Sequence, residues 1–115
     1  MTRLTSDFFV SALLRRLFAE GGLGVVEKRG APEAGAVHVR VRHSDGTETL
    51  LTPAPQAIFD TEKPIDRVFE ARKTRVHERD VSQVLARERD FDTDIWIVEI
   101  ETDQPENYLT ISELD

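Results

Sequence analysis

The sequence contains no cysteine. This absence excludes disulfide bonds, zinc sites with Cys ligands, iron–sulfur clusters and thiol catalysis, and it fits a reducing compartment. The chain also lacks an apolar run long enough to span a bilayer, because the run Phe8–Leu14 is followed at once by Arg15 and Arg16. No small-residue cleavage site of a secretory signal follows, so we expect a cytoplasmic protein that is not associated with membranes.

Basic residues are missing from the C-terminal quarter of the chain. Residues 91–115 contain eight carboxylates and no Lys or Arg, whereas residues 1–90 contain fifteen basic groups and fourteen acidic ones. The net charge of −7 therefore comes from the C-terminal quarter. Binding to nucleic acid depends on several Lys or Arg contacts with phosphates, so we predict no nucleic-acid partner.

The length of 115 residues predicts one domain that spans 1–115. Its N-terminal part, 6–20, has the periodicity of an amphipathic helix, with Phe9, Leu13 and Leu17 on one stripe. Thr5 or Ser6 is expected to cap this helix, and the pair Gly21-Gly22 to end it.

The segment 25–28 is a short strand candidate, and 37–42 alternates strictly between Val and charged or polar residues. Such alternation is typical of an antiparallel strand with one buried face. Asp45-Gly46 predicts a hairpin turn, which makes 47–51 the return strand.

Prolines interrupt the next region, where 56–59 could form one helical turn. The segment 67–72 could be strand or helix, and we favour a strand because the prolines isolate it. Asp80 is the expected N-cap of a second helix at 81–90.

The segment 94–101 contains the single Trp and the densest β-branched run. It predicts a central strand with apolar groups on both faces near its start. The tail 108–111 could add an edge strand or remain loose. The fold class is therefore α+β, with two helices packed on a mostly antiparallel sheet of four or five strands.

The main candidate site is a charged face of this sheet, formed by His38, Arg40 and Arg42 from one strand and Glu99 and Glu101 from another. If the two strands are antiparallel neighbours, opposite charges form cross-strand pairs. The face then either fixes the strand register in solvent or binds a partner protein or a small anionic molecule. Of these two interpretations, we favour the solvated charge ladder, because exposed ion pairs are common and weak.

Other sites are poorly supported. The carboxylates of 90–94 alternate as in a calcium loop, but Ile95 stands where such a loop needs Gly. The three histidines lack the spacing of a zinc motif and are expected to be solvated, and no Ser lies in a nucleophile elbow. We therefore assign no catalytic residue, metal or cofactor.

Three stretches, 6–16, 29–37 and 91–101, resemble a family of small alphaproteobacterial proteins, number 1491 in the domain-of-unknown-function series. The resemblance covers nearly the whole chain, although family members often have Pro where this chain has Thr93. It implies a bacterial cytoplasmic protein, and it implies no activity, ligand or catalytic residue.

Two hypotheses for function follow. The first is a non-catalytic interaction module that binds a protein partner, or a second copy of itself as a homodimer, through the charged sheet face or the acidic C-terminal segment. The second is a small enzyme or small-ligand-binding protein with a site between the 53–66 loop and the sheet. A concave pocket with convergent polar groups would favour the second hypothesis, and a flat face with an exposed apolar patch the first.

Overall fold

The computed structural model describes residues 4–55 and 67–112. Helix α1 is Ser6–Ala19, as predicted, and the Thr5 side chain accepts a hydrogen bond from the backbone N–H of Phe8. The helix is followed by Gly21, whose φ of +81° is readily adopted by glycine. Neither helix of the described residues is long and apolar enough to cross a membrane.

The second helix, α2, is Glu78–Phe91 and begins three residues before the predicted start. The prediction that Asp80 is its N-cap is wrong. His77 caps the helix instead, because its ring nitrogen Nδ1 accepts a hydrogen bond from the backbone N–H of Arg79 at 3.0 Å. Histidine is not among the preferred N-cap residues, so its capping role carried no strong signal.

Six strands are present in the described residues, and every segment for which a strand was favoured forms one. They are β1 (Leu23–Lys28), β2 (Val37–Arg42), β3 (Glu48–Pro53), β4 (Val68–Val76), β5 (Trp96–Glu101) and β6 (Thr110–Ile111). The helical turn predicted at 56–59 lies outside the described residues.

The sheet has the order β1-β5-β2-β3-β4-β6 and mixes the two kinds of pairing. Strand β5 is parallel to β2, and β6 is parallel to β4, whereas the other neighbours are antiparallel. The prediction of a mostly antiparallel sheet with four or five strands is therefore wrong. The reason is that the chain passes through α2 after β4, and β5 then inserts between β1 and β2 in the direction of β2.

The two helices cover opposite faces of the sheet. On the α1 side, Leu13 and Leu17 pack against Val39, Trp96 and Val98. On the α2 side, a smaller apolar cluster joins the buried face of α2 to β3 and β5; it consists of Leu50, Val81, Val84, Leu85, Ile95 and Ile97. Strand β5 therefore carries buried side chains on both faces near its start, as predicted.

Trp96 joins β5 to the beginning of α1 through the loop 29–36. Its indole N–H donates to the carbonyl of Ala31 at 2.8 Å, and the Arg29 guanidinium lies 5.0 Å from the centre of a Trp96 ring. The hydroxyl of Ser6 donates to the carbonyl of Gly35 in the same loop. The three stretches that carry the family resemblance therefore meet here, and their contacts position β5 within the sheet.

Candidate functional site

The five residues of the predicted charged face lie together on the α2 side of the sheet. Their strands are parallel neighbours, not antiparallel ones, and Arg40 is opposite Glu99 while Arg42 is opposite Glu101. His38 is opposite Ile97 in the same register. Because paired residues in neighbouring strands point to the same face, the five side chains form one continuous charged area.

The ion pairs of this area use other carboxylates than Glu99 and Glu101. Glu48 of β3 is fully buried and accepts a hydrogen bond from Arg40 Nε at 2.7 Å, and it lies 3.2 Å from Nη2 of Arg42. Arg42 also pairs with Glu78 at 2.7 Å. Among the described residues, Glu99 and Glu101 form no ion pair within 4 Å.

Sequence reasoning missed Glu48, although a signal for it was present. The Asp45-Gly46 turn sets the register of the hairpin, which places Glu48 directly opposite Arg42. What the sequence could not show is that α2 covers this part of the sheet. Because α2 covers this part of the sheet, Arg40 and Glu48 form a buried ion pair and not the solvated pairs that we expected.

Arg40 occupies the centre of the cluster, and each of its guanidinium nitrogens has a partner. Besides Glu48, it donates to Glu27 at 3.3 Å, to the backbone carbonyl of Glu78 at 3.2 Å, and to the hydroxyl of Ser82. Burial alone would lower the pKa of Arg40, but the hydrogen bond and charge of Glu48, with those of Glu27, outweigh burial and raise that pKa. Arg40 is therefore permanently charged and fully engaged.

An open groove runs between α2 and β1. Its volume is about 450 Å³, and it is lined by Glu27, Arg40, Ser82, Ala86, Arg89 and Asp90. The residues from α2 recur at helical spacing and form one wall. The groove exists because α2 packs on β3, β4 and the start of β5 and leaves the same face of β1 uncovered.

Next to the groove lies an exposed sheet strip, which we define as Leu23, Val25, Glu99 and Glu101. Leu23 is opposite Glu101 and Val25 is opposite Glu99, so these two apolar and two acidic side chains are neighbours on one face of two adjacent strands. Leu23 and Val25 are 59% and 54% exposed. Sequence reasoning placed Val25 in a strand, but nothing in the sequence showed that this strand lies at the sheet edge.

His38 lies on the same sheet face, toward the other end of the strand. It is only 6% exposed, and its Nδ1 has no hydrogen-bond partner among residues 4–55 and 67–112. Burial lowers the pKa of this imidazole, and the charge of Glu88 opposes that effect only in part. Of the other histidines, His43 is also buried, so the expectation of solvated histidines is wrong for these two and holds for His77.

Thr49, His43 and Asp103 are arranged in the order of a nucleophile, a base and an orienting carboxylate. The Thr49 hydroxyl lies 2.7 Å from Nε2 of His43, whereas Nδ1 of the same ring lies 3.1 Å from the backbone carbonyl of Thr102 and 3.4 Å from Asp103. However, Thr49 is buried, and its oxygen already accepts the backbone N–H of Arg75 at 3.1 Å. A substrate has no access to this hydroxyl, so the arrangement connects the β2–β3 turn to the end of β5.

Metal binding has no support among the described residues, since no cluster of three or more His, Asp or Glu side chains there could hold an ion. Of the carboxylates considered for a calcium loop, Asp92 accepts the backbone N–H of Asp94 at 2.9 Å. The site hypothesised between the 53–66 loop and the sheet depends mainly on residues 56–66, which lie outside the described residues.

The geometry thus defines a small α+β domain whose sheet is covered by one helix on each face, with part of the α2 side left open. A family model described as protein of unknown function (DUF1491) matches residues 4–110. The chain belongs to this DUF1491 family. No curated protein matches it.

Solved structures with the same fold include relatives from two bacteria. Protein Atu0922 from A. tumefaciens is 48% identical, with a TM-score of 0.85; the match covers 99% of this chain and 98% of that chain. A DUF1491 family protein from Caulobacter crescentus CB15 is 29% identical in its crystal structure, with a TM-score of 0.78 and coverage of 97% and 100%. An NMR structure of a family member from the same organism is 28% identical, with a TM-score of 0.79 and coverage of 98% and 100%.

Proposed function

We propose that this protein is a non-catalytic interaction module of the bacterial cytoplasm, and that a protein partner binds at the groove and the exposed sheet strip. The observation that carries this proposal is the strip itself. Leu23 and Val25 expose more than half of their surface beside Glu99 and Glu101, on the part of the face that α2 leaves open. Apolar groups rimmed by charges are typical of surfaces that bind proteins.

The charged residues of the original candidate face divide between two roles in this proposal. His38 and Arg40 are buried and support α2 on the sheet, whereas Glu99 and Glu101 remain available to a partner. Arg42 is intermediate, because its side chain is 41% exposed but already paired with Glu48 and Glu78. The partner-binding part of the face is therefore its acidic part.

A small anionic ligand fits the groove less well than a protein does. The donors of Arg40 are used by Glu48, Glu27, Glu78 and Ser82, and Asp90 adds a further negative charge to the lining. An anion would have to displace Glu27 to reach the guanidinium. This loss of an existing charge-assisted hydrogen bond makes such a site unfavourable.

Site-specific photocrosslinking in the native cell tests the proposal. A photoreactive residue at position 25 is expected to give a discrete adduct with one other protein, whereas the same residue at position 8 should not. Phe8 is the matched control because it is 58% exposed and lies on α1, away from the strip.

The adduct must then be reproduced with purified components. The partner identified by mass spectrometry should bind the wild-type protein and bind the Val25→Lys variant at least tenfold more weakly, while Phe8→Lys changes binding less than twofold. Equal crosslinking from positions 8 and 25, or no adduct from position 25, would contradict the proposal.

A further inference from the structure

We propose that the partner presents an extended, basic segment that adds to the sheet as a seventh strand along β1. This inference rests on the proposed function and names the chemistry of the partner. It is carried by three observations: the free edge of β1, the apolar side chains on both sides of that edge, and the excess of carboxylates in the groove and the exposed sheet strip taken together.

Strand β1 lies at one end of the sheet and pairs only with β5 among the described residues. The pairing is regular from Leu23 to Val26 and shifts register between Val26 and Lys28. A bulge of this kind protects an edge against unwanted pairing, as do charged residues. Because the bulge lies at the Lys28 end, the segment Leu23–Val26 keeps a regular edge whose backbone groups can pair with another strand.

Apolar side chains flank this edge on both faces of the sheet. Leu23 and Val25 project on the α2 side. On the α1 side, a Cβ added to Gly24 would lie 2.7 Å from a methyl group of Leu14, which shows how closely α1 covers β1. Phe18 follows Leu14 by one helical turn and is 55% exposed. Alternate side chains of an added strand would therefore meet apolar surface on either side.

The charge of the exposed sheet strip selects a basic segment. The groove lining is balanced, with two carboxylates (Glu27 and Asp90) and two guanidinium groups (Arg40 and Arg89), whereas the strip adds Glu99 and Glu101 and no basic residue, so that groove and strip together have a net charge of −2. Glu99 and Glu101 form no ion pair within 4 Å among the described residues. The pKa of Arg42 is raised mainly by its hydrogen bond with Glu48 and in part by the charge of Glu99, so Lys or Arg side chains of a partner strand would add a closer cation to each carboxylate.

The same charges argue against a second copy of this chain as the occupant. Each copy carries a net charge of −7 and the same carboxylates beside β1. Copies with the same net charge repel each other, which opposes association. An antiparallel self-pairing centred on Val25 would also place Glu27 of each copy opposite the apolar Leu23 of the other, which gives the carboxylate no cation.

Fluorescence anisotropy with labelled octapeptides tests this inference. A peptide that alternates Lys and Val is expected to bind, and one that alternates Glu and Val should bind at least tenfold more weakly. A third peptide, identical to the first but N-methylated at alternate residues, lacks the N–H donors of one edge and should also lose at least tenfold. Amide NMR shifts on binding should be concentrated in residues 23–26.

The matched variants are Glu99→Gln with Glu101→Gln, and Glu106→Gln as the control. Glu106 is an exposed carboxylate in the short 3-10 helix Pro105–Asn107, outside the groove. The double variant should bind the Lys-Val peptide at least fivefold more weakly, and the control should change binding less than twofold. The melting temperature of each variant, compared with that of the wild type, shows whether the fold is retained.

Three results would overturn the inference. If an octapeptide of Lys alone binds as well as the Lys-Val peptide, charge alone explains binding. If sedimentation shows a dimer of this chain that depends on Val25, a second copy is the occupant. If the Lys-Val peptide does not bind while the crosslink from position 25 persists, the partner has other chemistry and the proposed function stands. If neither the peptide binding nor the crosslink from position 25 is observed, both this inference and the proposed function are contradicted.

Discussion

The two sides of the sheet use the same strands in different ways. On the α1 side, alternate residues of β2 and β5 are apolar, buried and closed by α1. On the α2 side, the residues between them are polar or charged toward the centre of the sheet. Exposed apolar groups of β1 are followed by Glu99 and Glu101 of β5, then by buried Arg40 and half-exposed Arg42 of β2, and then by buried Glu48 of β3. The sheet residues on the α1 side are closed by a helix and serve stability, whereas the α2 side leaves part of the sheet itself uncovered and available for binding.

The largest expected effect tests the α1 side. Trp96 is 1% exposed and donates a hydrogen bond to Ala31, so Trp96→Ala removes a large buried ring and leaves a carbonyl without its partner. We expect the free energy of unfolding to fall by about 3 to 5 kcal/mol in urea denaturation. Phe91→Ala is the control; Phe91 is 89% exposed, and its loss should cost less than about 0.5 kcal/mol. A loss below about 1 kcal/mol for Trp96→Ala would show that the ring is not part of the core.

The second prediction tests the buried charges of the α2 side. Glu48→Gln preserves the size of the side chain but leaves Arg40 without the carboxylate that holds its Nε at 2.7 Å. Removing one partner from a buried ion pair is strongly destabilising, and we expect a loss of about 3 kcal/mol. Glu101→Gln should change stability by less than about 0.5 kcal/mol, since Glu101 is exposed. Equal effects of the two substitutions would mean that Glu48 is hydrated and that the two sides do not differ in this respect.

The third prediction uses the pH dependence of stability. Burial lowers the pKa of His38 from its ordinary value of 6.5, so the unfolded chain binds this proton more readily than the folded one. The contribution of neutral His38 is therefore fully present above pH 6.5 and is lost as the pH falls toward the folded-state pKa. The expected slope is up to about 1.4 kcal/mol per pH unit.

Chemical denaturation at several pH values between 7.5 and 5.5 measures this slope. His38→Leu should reduce it, and Gln83→Ala should not, because Gln83 is an exposed residue of α2 that does not titrate. Identical slopes for the wild type and His38→Leu would contradict a burial effect at His38.

The α1 side was the more predictable of the two. The alternation of Val37, Val39 and Val41 and the periodicity of α1 are local patterns, and each correctly indicated its buried face. On the α2 side, the outcome depends on long-range placement. Nothing local says that β5 lies beside β2 in parallel, that α2 covers Arg40, or that β1 is at the edge. For this reason Glu48 was missed as a buried carboxylate, and the exposure of Val25 could not be foreseen.

The smallest effect on stability is expected for substitution of Val25. This substitution tests most directly whether the α1 and α2 sides of the sheet differ in their structural role. Because Val25 is 54% exposed at an edge, replacing it with Lys removes little buried surface, and the free energy of unfolding should change by less than about 0.5 kcal/mol. Lysine on an edge strand also discourages pairing with another chain, so the same substitution should abolish strand addition.

On the α1 side, Val39 of β2 is fully buried, and Val39→Lys should prevent stable folding. Circular dichroism on heating and peptide anisotropy together check this contrast. A Val25→Lys variant that melted far below the wild type would show that the exposed side chains of β1 also stabilise the fold. The α2 side would then have no surface that is free of a structural role.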